Sequence, residues 1–138
     1  MPNREVIEKW VDALESGEYE QGTGYLHREH GKDHVWCCLG VLCDLAVNEK
    51  VIFASTKEAP MSAPTGSLSA HTYGEEHLSG ALPLEVQSWV GLDSGLPVVR
   101  VPSDDEDIEF EFQPLSHLND IKGWTFPEIA AAIRSSFL

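Results

Sequence analysis

Basic side chains are scarce in this chain: nine lysines and arginines stand against 23 aspartates and glutamates, a formal charge of −14. A binder of duplex nucleic acid needs a basic face to displace counterions from phosphates, so direct nucleic-acid binding is excluded as an expectation. Arginine is limited to Arg4, Arg28, Arg100 and Arg134, and a pocket for a phosphorylated ligand would have to recruit Arg28, Arg100 or Arg134, which can hold a phosphate bidentately. Long apolar runs are missing as well. The longest fall far short of the roughly 20 residues a spanning helix needs, so no membrane segment is expected. Cysteine is present three times, an odd number that cannot be fully paired. The opening "MPNREVIEKW" shows no secretory apolar core. Together these lead to the expectation of free thiols in a reducing cytoplasm. The loops G-x-x-x-x-G-K-[ST], G-x-G-x-x-G and G-x-S-x-G do not occur. Phosphate-loop, dinucleotide-fold and hydrolase-elbow readings therefore have no support.

What is there is enough for one globular domain, 1–138. The chain is 42% hydrophobic and 23% charged over 138 residues, and folding at that length buries roughly two thirds of the unfolded surface. Asn3 can cap a first helix carrying Ile7, Trp10, Val11 and Leu14 at helical spacing, with Gly17 just past its end. Two short extended arms, Tyr25-Leu26 and Val35-Trp36, are expected around the polar turn "REHGKD". Gly22 and Gly24 mark a bend or a close approach. Cys38 to Ala46 is apolar almost all round, as a buried central helix near 38–47 would be. Residues 54–80 carry no sustained period and are expected as a flexible, partly ordered surface loop that could serve as a lid, with a strand near Ser69–Tyr73.

Toward the end, "LPLEVQSWVGL" gives a helix stopped by Gly91. "LPVVRVP" and "IEFEFQ" give a hairpin whose tip is Asp104–Asp107. Ile108, Phe110 and Phe112 alternate with Glu109 and Glu111, so their side is expected to be the buried one. "PLSHLND" gives a short helix, and Thr125 with Glu128 forms a capping box for the last. The fold class that follows is α+β, with helices packed on small antiparallel sheets.

"HVWCCLGVLCDLAV" (34–47) carries the chemistry question. His27, His30, His34 and Cys37, with Cys38 and Cys43 near, could hold zinc, but the paired spacing of strong zinc signatures is missing. Cys37 or Cys38 at a helix start could be a thiolate nucleophile if a histidine approached. Packing is the favoured reading. Cysteine serves as a small buried hydrophobe, and Gly40 inside the helix implies a close neighbour, a tryptophan ring being the candidate. No resident cofactor is expected, and no catalytic residue is assigned.

"KWVDALESGEYEQGTGYLH", "WCCLGVLCDLAV", "LPLEVQSWVGL" and "LSHLNDIKGWTFPEIAAAIR" together resemble a group of small, mostly uncharacterised proteins encoded by bacteriophages and prophages. The resemblance covers both ends of the chain and skips residues 50–80. It implies a phage accessory role in the host bacterial cytoplasm, by analogy of context. Such proteins often counter host defence. The expected function is therefore capture, without catalysis, of a small nucleotide-like immune signal, in a homo-oligomer. The candidate ligand residues are Gln21, Gly22, Gly24, Tyr25, Arg28, Trp36, Arg100, Asn119, Asp120 and Trp124. A host protein is the alternative partner, bound by an acidic decoy that mimics nucleic acid, and a small zinc or thiol enzyme is the third reading.

Overall fold

The computed structural model describes residues 2–23, 26–30, 33–52, 54–58, 68–73, 81–103 and 105–138. Of residues 29, 30, 33, 54–58 and 68–73 it describes the backbone alone. Among the described residues the architecture is α+β, five helices with two antiparallel sheets.

Helix α1 (Arg4–Glu15) starts where Asn3 accepts a hydrogen bond from the Val6 amide, and Gly17 follows its end at φ +79°. Its apolar positions fall on one stripe, and Val6, Ile7, Trp10, Val11 and Leu14 are all buried. Strands β1 (His27–His30) and β2 (Asp33–Trp36) form the first hairpin, with His27 opposite Trp36. Both strands run further into "REHGKD" than its polarity suggests, because backbone pairing accepts polar side chains wherever one face meets solvent.

Helix α2 (Cys38–Asn48) is buried along Cys38–Cys43 and at Ala46, as its all-round apolarity requires. Gly40 is indispensable there. A methyl group at that position would lie 1.5 Å from the carbonyl oxygen of Leu26. The close neighbour expected at Gly40 is thus backbone and not a tryptophan ring. The indole that does reach α2 is Trp10, whose Nε1 donates to the Cys38 carbonyl at 2.9 Å.

Strands β3 (Ala54–Glu58) and β4 (Leu68–Tyr73) pair with each other, and β4 also pairs with β1, giving the order β2-β1-β4-β3. The segment 54–80 therefore contributes two strands to the larger sheet. Residues 59–67 and 74–80 lie outside the described residues. Helix α3 (Leu84–Val90) ends on Gly91 at φ +77°.

Strands β5 (Val98–Pro102) and β6 (Phe110–Pro114) make the second sheet. Helices α4 (Leu115–Asp120) and α5 (Phe126–Phe137) close the chain, α5 with the full Thr125–Glu128 capping box. One core joins α1, α2, α4, α5, Val99 and Val101. The hairpin corrects one expectation. Phe112 is 72% exposed, Ile108 50% and Phe110 44%, whereas Val99 and Val101 are buried. Both strands carry apolar residues, and the face that turns inward is the one on which Val99 and Val101 lie with Glu111 and Gln113. Glu111 tolerates that side because Lys122 meets it at 3.7 Å.

Candidate functional site

Two places gather the residues singled out by sequence. The first centres on Gln21. The Glu20–Gly22 segment runs parallel beside β2: the Gly22 amide donates to the Trp36 carbonyl at 2.7 Å, and the Trp36 amide to Glu20 at 2.9 Å. Gly22 fits because nothing larger would: a methyl group there would lie 2.5 Å from Val35 Cγ2, and 3.7 Å from an Arg28 guanidinium nitrogen. The Gln21 side chain then crosses to the C-terminal helices. Its Nε2 donates to Asn119 Oδ1 at 2.8 Å and to the Trp124 carbonyl at 2.7 Å, and its Oε1 accepts from the Phe126 amide at 3.1 Å. Buried Asn119 donates to the Gly22 carbonyl at 2.8 Å and to Asp120 Oδ1 at 2.7 Å.

This node brings together Gln21, Gly22, Asn119, Asp120 and the backbone of Trp124, with Arg28 and Trp36 alongside. Gln21 and Asn119 spend their amide groups on each other, on backbone and on the Asp120 carboxylate, so they clasp the N-terminal third of the chain to the start of α5. Such a hydrogen-bonded amide pair, Asn119 buried and Gln21 half-buried, fixes structure. Gly24 and Tyr25 lie outside the described residues.

The second place is a cleft of about 260 Å³ between the β5–β6 sheet and α5. Arg100 and Trp124 both line it, with Phe110, Pro102, Glu128 and Ser135. Arg100 sits on the outward face of β5, its main-chain amide held by Ser136 Oγ at 3.0 Å. Its guanidinium carbon stands 4.6 Å from the centre of the Phe110 ring. An adjoining depression of about 360 Å³ shares Arg100 and Ser135 and is walled by Val98, Phe112 and Phe137.

The arrangement offers a forked cation between aromatic faces, which suits a phosphate or carboxylate attached to a planar ring. Glu128 stays ionised on the rim, because hydrogen bonds from the Thr125 backbone and side chain hold its carboxyl below the usual range. Phe110 and Glu128 were not among the expected ligand residues. The alternation of β6 pointed Phe110 inward, and only the competing alternation of β5 carries the opposite signal.

The cysteines sit elsewhere. Cys37, Cys38 and Cys43 are free and buried in the core. Burial pushes the Cys37 thiol up to about 11 and raises the other two well above their ordinary value. A thiol held protonated and away from solvent is a poor nucleophile at neutral pH.

A third cluster lies on the first hairpin. The Nε2 of buried His27 is 2.9 Å from His34 Nδ1, and the His27 ring stacks on Trp36 at 4.4 Å and 17°. Tyr19 meets the same indole edge-on and donates to Asp44 at 2.6 Å; burial raises its hydroxyl pKa. Among the described residues, Trp36 Nε1 is a buried side-chain nitrogen with no hydrogen-bond partner. Among them, too, no three His, Cys, Asp or Glu side chains converge as a metal would need, and no helix is long and apolar enough to cross a membrane.

No curated protein and no solved structure matches this chain. One family model does, that of a domain of unknown function, DUF8296, which aligns with residues 2–137. With both sheets and all five helices inside that span, the chain belongs to the DUF8296 family.

Proposed function

We propose that the protein is a non-catalytic binding protein of phage type. In this reading it acts against host immunity in the bacterial cytoplasm by sequestering a small nucleotide-like signal. The observation that carries the reading is the cleft between the β5–β6 sheet and α5, where Arg100 stands among Trp124, Phe110 and Phe112. A nucleotide presents an anion and a flat ring a short distance apart. Arg100 would take the phosphate through its fork, and the Trp124 or Phe110 face would take the base. The low-polarity walls strengthen the charge contact by thinning the water around it. The burial of all three thiols supports capture over covalent chemistry. The exposed apolar face of Val98, Phe110 and Phe112 supports the homo-oligomeric part of the reading, since patches of that kind mark contact surfaces.

Thermal unfolding with a panel of cyclic nucleotides and ADP-ribose derivatives tests it. One class should raise the melting temperature of the native protein by mass action. Arg100→Ala should weaken that ligand by about tenfold or more, in keeping with loss of a charge-assisted bidentate contact. A panel in which nothing shifts the melting temperature removes the proposal.

A further inference from the structure

The second sheet has one covered edge and one open one. Its strands pair with Arg100 opposite Phe112 and Pro102 opposite Phe110. Just beyond the strands, the Ser103 amide donates to the Glu109 carbonyl at 3.2 Å and the Leu115 amide to the Pro97 carbonyl at 2.9 Å. Opposite residues in an antiparallel ladder alternate between bonded and non-bonded pairs, and these flanking bonds set the phase. Val101 with Glu111 and Val99 with Gln113 are the bonded pairs. The main-chain groups of Arg100, Phe110, Phe112 and Pro114 therefore point away from the facing strand. On the β5 side, α5 lies alongside, and Ser136 Oγ accepts from the Arg100 amide at 3.0 Å. On the β6 side, the amides and carbonyls of Phe110 and Phe112 and the carbonyl of Pro114 have no partner among the described residues. Such an edge is a template for another strand, and exposed Val98, Phe110 and Phe112 put no charge on its outer face to repel one.

Building on the homo-oligomeric part of the proposed function, we infer that this edge is filled by β6 of a second copy of the chain, antiparallel about a two-fold axis through Phe112. The donors to be satisfied are the Phe110 and Phe112 amides, since Pro114 has no N–H. About that axis the Phe112 residues of the two copies exchange N–H to C=O bonds. Each Phe110 amide meets the Pro114 carbonyl of the other copy, and no donor on the edge is left over. Charge selects the same register, because Glu111 then lies opposite Gln113 of the second copy. A slide of two residues one way would set Glu111 against Glu111, and a slide of four would set it against Glu109, like charges directly opposed. A slide the other way carries Phe110 past the end of the facing strand. The pairing joins the two small sheets into one and covers Phe110 and Phe112, which the core leaves in solvent.

Oxidative cross-linking of the full-length protein tests the register, with light scattering as the measure of association. In a bonded antiparallel pair the Cα atoms lie about 5.5 Å apart, within the range of about 4.4–6.8 Å that a disulfide spans. Phe112→Cys should therefore give a covalent dimer, whereas Phe110→Cys, facing Pro114, should not. The native thiols are buried and supply no background. Gln113→Glu, which touches neither phenylalanine contact, should weaken dimerisation by about fivefold or more by placing a carboxylate opposite Glu111 twice per dimer. Its melting temperature as a dilute chain shows that the fold is kept. Cross-linking through Phe110→Cys as readily as through Phe112→Cys overturns the register. A dimer that forms normally, resists the Phe112→Cys link and ignores Gln113→Glu overturns the edge pairing while leaving the oligomeric reading intact. A native chain that stays monomeric at high concentration overturns both, and leaves the edge to a strand of another protein.

Discussion

Gly40 is the residue at which the fold tolerates least. Its missing side chain lets α2 press against the Leu26 carbonyl, and a methyl group there would overlap that oxygen at 1.5 Å. Gly40→Ala would normally favour a helix, yet here it should cost about 3 kcal/mol or more, since backbone must move to make room. Urea midpoints of the two proteins check this. Gln21 offers a second test. Its side chain makes three hydrogen bonds to Asn119, Trp124 and Phe126. Gln21→Ala should destabilise by about 2–3 kcal/mol by leaving buried partners unsatisfied, an outcome readable in the same melts. Neither role was visible locally. Glycine in a helix announces a close neighbour but not which one, and the partners of Gln21 lie about a hundred positions away in sequence. The thiols yield a pH prediction. The Cys37 pKa is raised by burial, from 9.0 to about 11. The unfolded chain therefore releases the Cys37 proton first. The stability this thiol contributes is full below about pH 9 and is lost as pH rises toward 11. Denaturation midpoints above and below that window should fall on the alkaline side, and Cys37→Ala should shrink the fall.

At the scale of single elements, the helices were the most legible parts. Asn3, Gly17, Gly91 and the Thr125–Glu128 pair act within a turn of the backbone they cap, so their signals survive without tertiary context. The capping box makes a testable claim. Glu128 has its pKa lowered by bonds from Thr125, so α5 gains stability above the ordinary carboxylate range and loses it as pH falls through the lowered value. Thermal melts of Glu128→Gln should show a weaker acid dependence than the native protein, with Thr125→Ala costing about 1 kcal/mol. Strands were harder to read. β3, "ASTKE", has no apolar alternation, and its pairing with β4 is specified by backbone bonds to a partner eleven or more residues away. The β5–β6 hairpin was found, but its inward face was not. "VVRVP" and "FEFQP" each offer an apolar set, and periodicity has no means of ranking Val99 and Val101 against Phe110 and Phe112.

For the molecule as a whole, that choice of face leaves Val98, Phe110 and Phe112 in solvent beside the Arg100 cleft. If the oligomeric reading holds, Phe112→Ser should lower the apparent mass in light scattering without lowering the melting temperature of the dilute chain; an unchanged mass would count against it. The α+β class, the five helices and the apolar identity of α2 follow from composition, caps and period, because each of those forces acts within a few residues of chain. Three matters were settled only by the assembled tertiary structure. Arg100 and Trp124 came to share a cleft, Gln21 and Asn119 became a clasp, and His27 met His34. Each of them depends on which surfaces exclude water together. That is a property of the packed core, which no short stretch of chain encodes alone.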